Sequence, residues 1–475
     1  MILTLALRSL LAHPIRSAVL ACGFGLGVGV MAMLLGVGEV ILDQARSPAI
    51  VGGGDVVISS ATGQLTSAAW ILSSALRSAT FQRRVAAASP TRRATLFLVR
   101  NGRSVPIRIR GGIPSLERAL GDPETASVAS WVDSASDRAW SAADPAAALR
   151  MMDRFHAIPD VPLRADSWAE WLYFNGRSGD HRFYLTFLVG PRRKTGTRAA
   201  GVRLQLDRAG QLSSYSETLD VDEATVLRDA PDLTIGSSRV RLEGLRYHIT
   251  LDLPAEARTL EPGTKGGGRD RRVRGSLFID AQPGRALPPL TIRGAGGWLS
   301  GYVVPIMSGT LAGALQVDEQ TIVFDEGQGY HDHNWGFWKD VSWQWGQVQH
   351  GDLSLVYGRV HPPADAADPD RIPGFLVALG PDGPVGYSTS VSIEETNDPG
   401  TRRPRTLVVH GRSSSLDLTL NLAVEDTVVT RTGGDLFGRG LDFLQLRVQY
   451  RARGRAGSRS IDFAAAGSAE TFRGR

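Results

Sequence analysis

Cysteine is almost absent from this chain: Cys22 is the single one in 475 residues. One thiol excludes an internal disulfide framework and a cysteine-built zinc site. Lysine is nearly as scarce, being limited to Lys194, Lys265 and Lys339. The net charge of +5 therefore rests on arginine, and the arginines are mostly scattered singly. The densest basic knots, Arg192-Arg193-Lys194 and Arg269-Asp270-Arg271-Arg272, have loop-like surroundings. Nucleic-acid binding needs a basic stripe or a recognisable fold, so no nucleic-acid partner is expected. The chain also lacks a Gly-x-Ser-x-Gly elbow, a phosphate loop and a dinucleotide fingerprint, and no cofactor is expected.

What is present begins with a long apolar run. Ser17 to Gly38 is uncharged and mostly apolar, with Arg8 and Arg16 before it and Glu39 and Asp43 after it. About 20 such residues span a bilayer core as a helix. A cleaved leader has a shorter apolar region ending in a small-residue site, so a single-pass anchor is expected. The arginines place residues 1–16 in the cytoplasm. The expected localisation is a bacterial inner membrane, with the bulk of the chain extracytoplasmic. Gly23, Gly25, Gly27 and Gly29 would suit close helix packing.

Ala6-Leu7-Arg8-Ser9-Leu10-Leu11-Ala12-His13-Pro14-Ile15-Arg16, the glycine-rich span and Gly52-Gly53-Gly54-Asp55-Val56-Val57-Ile58 together resemble the start of FtsX/MacB-type ABC transporter permeases. The resemblance ends near residue 60 and implies a link to an export system, with an ABC permease and ATPase as possible partners. Residues 39–153 read as a connecting module. An amphipathic helix is expected over Leu65–Arg84, and a hairpin over 96–110 with its turn at Asn101-Gly102. A short helix should close at Gly121, and another should start at Asp144-Pro145.

Beyond Arg154 the pattern turns to strands. Phe183–Val189 is mostly apolar, while Val202–Asp207, Leu416–Val424 and Leu444–Arg451 alternate. Alternation broken by Gly, Pro and Asp turns marks antiparallel sheet with one buried face. The expected fold is mainly β, with two lobes over 154–300 and 301–475. Each is sized for a small antiparallel barrel or sandwich. Glu261–Arg272 reads as an exposed loop.

One stretch concentrates the chemistry. Gly329-Tyr330-His331-Asp332-His333-Asn334-Trp335-Gly336-Phe337-Trp338 is followed by Trp343-Gln344-Trp345-Gly346. As an extended strand it would turn Tyr330, Asp332 and Asn334 to one face, and His331, His333 and Trp335 to the other. Burying such groups without partners costs several kcal/mol, so the cluster is either a satisfied network or a site. Three readings stand. It is a structural belt between two lobes; it is a reactive site; or it holds a metal through His331-x-His333. Spacing supplies no third ligand, so no metal is expected.

Arg154-Phe155-His156-Ala157-Ile158-Pro159 and Ser167-Trp168-Ala169-Glu170-Trp171-Leu172-Tyr173-Phe174-Asn175-Gly176 look like the first-half signature of the AttH-like and hydroxyneurosporene synthase (carotenoid 1,2-hydratase) superfamily. Gly329–Gly336 looks like the second-half signature of the same group. The resemblance covers roughly residues 150–475. It implies two lipocalin-like lobes and an elongated apolar isoprenoid or lipid ligand. If a reaction occurs, it would be hydration of a C=C bond. Tyr330 and Asp332 carry over as catalytic, with His331 and His333 beside them. Trp335, Trp338, Trp343, Trp345 and Asn334 are the expected ligand contacts. A neutral, desolvated Asp332 would suit alkene protonation, and indole faces would stabilise the cation. AttH-type members that accompany exporters imply the alternative, a non-catalytic accessory subunit.

Overall fold

The computed structural model describes residues 11–46, 56–58, 68, 72, 84–100, 103–122, 125, 128–141, 144–228, 231–256, 271–282, 284–381, 383–432 and 441–474. It is mainly β, with two nearly closed antiparallel sheets that follow one long N-terminal helix in the sequence. Helix α1 (Pro14–Arg46) is longer than the expected span. Pro14 opens it, where a missing N–H costs nothing. Its stretch Pro14–Val37 is long and apolar enough to cross a membrane, and side chains such as Leu26, Met33 and Leu34 are exposed along it.

The connecting region contains the expected hairpin as β1 (Thr91–Arg100) and β2 (Arg103–Gly112). Residues 101–102, where its turn was placed, lie outside the described residues. Helix α2 (Pro114–Ala119) ends just before Gly121, which adopts φ of +77°. Helix α3 (Ala135–Ser141) follows. The helix expected over 65–84 lies outside the described residues apart from 68, 72 and 84. Helix α4 (Pro145–Met152) starts as its sequence dictates: the Asp144 carboxylate accepts from the Ala147 N–H. This helix does not belong to a module ending at 153. Its Leu149 and Met152 join the apolar core of the barrels, and the chain from Asp144 onward is one compact unit, distinct from the unit containing α1, the hairpin, α2 and α3.

The first sheet comprises β3 (Trp168–Ser178), β4 (His181–Arg192), β5 (Thr197–Arg208), β6 (Gln211–Asp222), β7 (Asp232–Ile235), β8 (Ser238–Glu243), β9 (Arg246–Pro254), β10 (Arg272–Asp280), β11 (Leu287–Arg293), β12 (Leu299–Val317) and β13 (Gln320–Phe337). Its order is β6-β5-β4-β3-β13-β12-β10-β9-β8-β7, with β11 against β12. A bridge between Tyr215 of the edge strand β6 and Ala255, just past β9, ties the two sides of the sheet together. The second sheet comprises β14 (Ser342–His350), β15 (Leu353–His361), β16 (Phe375–Gly380), β17 (Gly383–Ser388), β18 (Ser390–Asn397), β19 (Pro404–Arg412), β20 (Leu416–Thr432), β21 (Leu441–Ala456) and β22 (Arg459–Gly474). Its order is β17-β16-β15-β14-β22-β21-β20-β19-β18.

The sheets change over between Phe337 and Ser342, not at 300/301 as expected. The reason is pairing: β12 lies on β10, and β13 returns to β3, so both complete the first sheet. The loop expected over 261–272 is outside the described residues as far as 270, and Arg272 already opens β10. Apolar side chains such as Leu172, Phe174, Leu204 and Ile249 pack in the first barrel, and this core continues through Trp345, Val356 and Val377 between the barrels. A separate core, including Leu355, Leu418 and Val448, belongs to the second barrel.

Candidate functional site

The two sequence signatures are hydrogen-bonded neighbours. Register places Glu170 opposite Trp335, Leu172 opposite His333, Tyr173 opposite Asp332, Phe174 opposite His331 and Asn175 opposite Tyr330. Directly opposed residues share a sheet face, so alternation sorts the motif into two sets, as the sequence pattern requires.

On one face lies a chain of imidazoles and carboxylates. His156 Nδ1 is 2.7 Å from Glu170 Oε1, whose same oxygen is 2.9 Å from His333 Nε2. His333 Nδ1 is 2.9 Å from Asp153 Oδ1, and His331 Nε2 is 3.0 Å from Asp153 Oδ2. Tyr247 donates to Asp153 Oδ2 at 2.6 Å, and His331 Nδ1 meets the Tyr173 carbonyl oxygen at 2.9 Å. All but His156 are buried. Burial alone would raise the Asp153 pKa, but the charges and hydrogen bonds of His331 and His333 outweigh it and hold Asp153 far below the usual range. Glu170 is likewise depressed against burial, by His156 and then His333. Burial opposes the charge on His333, yet its hydrogen bonds to Asp153 and Glu170 lift it to about 9. The donor atoms of His156, Glu170 and His333 lie within 4.8 Å of one another, a spacing a metal ion could bridge. Each is also engaged in the hydrogen-bonded chain. The expected His331-x-His333 pair is spanned by Asp153.

On the opposite face, between the barrels, stands the Asp332 set. Tyr330 donates to Asp332 Oδ2 at 3.0 Å and the Asn334 amide donates to Oδ1 at 2.8 Å. Tyr330 and Tyr302 hydroxyls are 2.9 Å apart, and Trp345 of the second barrel donates to the Tyr302 oxygen at 2.8 Å. Burial raises the Asp332 pKa to about 8, against the hydrogen bonds from Tyr330 and Asn334 and the His333 charge. Burial, and then the Asp332 charge, push Tyr330 and Tyr302 well above their ordinary values. Glu470 on β22 is a second buried acid, raised by burial and then by Asp332. The Trp345 ring centroid lies 5.3 Å from that of Tyr330 and 5.7 Å from that of Tyr173. The set therefore offers a proton-bearing carboxyl among aromatic rings, shielded from bulk water.

Of the expected catalytic residues, Tyr330 and Asp332 come together, whereas His331 and His333 point away from them into the first barrel. Asn334 and Trp345 join the Asp332 set, and Trp343 reaches it through Tyr302, at 5.5 Å between ring centroids. Trp335 lies on the histidine face, stacked on His156 at 4.2 Å. Trp338 packs on Trp171 and donates to the Ala169 carbonyl. The sequence reading missed Asp153, Tyr302 and Glu470, which carry no local motif. Glu170 stood inside a quoted signature without a role.

No protein-family model matches the chain, and no curated protein matches it. Among solved structures it is similar to an AttH assignment from Nitrosomonas europaea, with 14% identity and a TM-score of 0.44, over 67% of this chain and 96% of that one. It is similar also to CghA in complex with Sch210972, with 12% identity and a TM-score of 0.44, over 68% of this chain and 94% of that one.

Proposed function

We propose that the protein is a membrane-anchored, extracytoplasmic enzyme that adds water across a C=C bond of an isoprenoid or lipid taken from the adjacent bilayer. One observation carries this reading: Asp332 is buried among Tyr330, Tyr302, Tyr173 and Trp345 with its pKa raised to about 8, so it holds a proton at neutral pH. In the proposed reaction Asp332 transfers that proton to one alkene carbon. The tertiary cation that results is stabilised by ring faces. Water adds to the cation, and the proton it sheds restores the Asp332 carboxyl. Tyr330 and Asn334 hold the carboxyl in place throughout. Helix α1, long and apolar enough to cross a membrane, supports the anchor, and the proposed orientation with the N-terminus inside follows from Arg8 and Arg16 before it.

The test is Asp332→Asn, which preserves shape but removes the proton. Hydration of an acyclic polyene should fall about 10²–10⁴-fold, the usual contribution of a general acid, with the melting temperature retained or slightly raised. A stable variant that hydrates at the parent rate would sink the proposal. Absence of turnover in the parent itself, with ligand binding intact, would instead favour a non-catalytic accessory subunit of an exporter.

A further inference from the structure

Beside the Asp332 set a cleft runs between the two barrels, lined in part by Asn175, Arg177, Arg182, Tyr184, Gln328 and Ser468, with no carboxylate among its lining residues. Register places Arg177 directly opposite Arg182 on β3 and β4. Like charges at opposed cross-strand positions destabilise a sheet. Arg177 donates to the Gln328 side-chain oxygen at 3.3 Å, and among the described residues neither guanidinium forms an ion pair. Burial, and then the Arg182 charge, press the Arg177 pKa downward. One further donor in the cleft, Asn175 Nδ2, has no hydrogen-bond partner, and Asn175 is more than nine-tenths buried; the Tyr184 hydroxyl lies beside Arg182 and Ser468. The Asn175 carbonyl is already taken by the Gln347 amide at 3.1 Å.

Two guanidiniums with no carboxylate between them and an amide N–H with no acceptor converge here. Buried donors are nearly always satisfied in folded proteins, and guanidinium pairs match the oxygens of a carboxylate or phosphate. The cleft also shares a sheet face with the proposed reaction site. Tyr173, Asn175 and Arg177 alternate along one face of β3, opposite Asp332, Tyr330 and Gln328. The separation from Arg177 to Tyr173 along the strand is about 13 Å.

We propose that the Arg177–Arg182 cleft binds the anionic head, a carboxylate or a phosphate, of an amphiphilic substrate whose apolar portion extends toward Asp332. The anion site stands on the cleft alone; only the placement of the apolar portion rests on the function proposed above.

The experiment measures binding of hexyl phosphate, hexanoate and hexanol to the full chain in nanodiscs of neutral lipid. At least one anion should bind about tenfold more tightly than hexanol, as expected for charge-assisted hydrogen bonds, and the tighter of the two identifies the head group. Arg177→Gln and Arg182→Gln should each weaken anion binding about tenfold and leave hexanol unchanged. Their melting temperatures should not fall, since a like-charge opposition is relieved. Asp332→Asn should keep anion binding intact, so loss of hydration and loss of anion recognition are separable. Hexanol binding as tightly as both anions, or unchanged anion affinity in both arginine variants, overturns the proposal.

Discussion

Asp332 and His333 are adjacent in sequence yet titrate in opposite surroundings, because a strand turns successive side chains to opposite faces. The consequence is a pH dependence with a definite sign. Asp153 and Glu170 are depressed in the fold, so their stabilisation is present above the unfolded carboxyl values near about 4 and is lost as pH falls below them. His333 is raised to about 9, so its contribution is complete below the unfolded value of about 6.5 and is lost as pH climbs toward 9. Asp332, raised to about 8, favours the fold while protonated and costs stability as pH rises from about 4 to 8. The melting temperature should therefore peak in mildly acidic solution and decline toward pH 9. In Asp332→Asn the alkaline decline should be shallower. A flat profile between pH 5 and 9 would contradict the network. At this scale the sequence named Asp332, Tyr330 and Asn334 correctly as one face. It did not separate the histidines from them in function, since their partner Asp153 lies 178 residues from His331 in the chain.

At the scale of elements, the β3–β13 pair organises the site. Trp168 points into the first barrel, fully buried and edge-on to Phe337 at 5.2 Å between ring centroids. Trp171 is only half-buried, on the inter-barrel face beside Trp338. Trp168→Ala should accordingly cost about 3–5 kcal/mol, with Trp171→Ala costing less, and thermal melts of both variants measure the order. Equal losses would contradict the assignment of faces. A second test uses Gly301 on β12, where an added Cβ would lie inside the Trp335 indole. Gly301→Ala should destabilise by about 1–3 kcal/mol through overpacking. An unchanged melting temperature would mean that Trp335 does not sit against this strand. The strands themselves were legible from alternation. Their pairing was not, because nothing local in Gly329–Trp338 specifies Trp168–Gly176 as its neighbour rather than β12 alone.

At the scale of the whole molecule, the apolar core of the first barrel runs continuously onto Val356, Val377 and Phe472 of the second. The two barrels should therefore unfold together. Calorimetry of the full chain should show one transition for this unit, with equal calorimetric and van't Hoff enthalpies; two resolved transitions would mean that the interface is weaker than the shared core implies. The anchor is tested separately. The chain should stay in the membrane fraction after alkaline wash, with residues beyond Glu39 open to protease from the outer side. Release on washing, or protection from outside, would count against a helix inserted with its N-terminus inside.

Composition and periodicity alone determined the mainly β class, the apolar helix and the alternation that sets Asp332 apart from His331 and His333. These are local properties: the length of an apolar run, and a side-chain period of two. Only the tertiary structure decided that the sheets divide after Phe337, that Asp153 closes the histidine chain, and that Tyr302, Trp345 and Glu470 surround Asp332. It also opposed Arg177 to Arg182 on the sheet face that carries Asp332. Each of these depends on strand register and on the face one barrel presents to the other. Such choices are made by the summed burial of many side chains, so no single stretch of sequence encodes them.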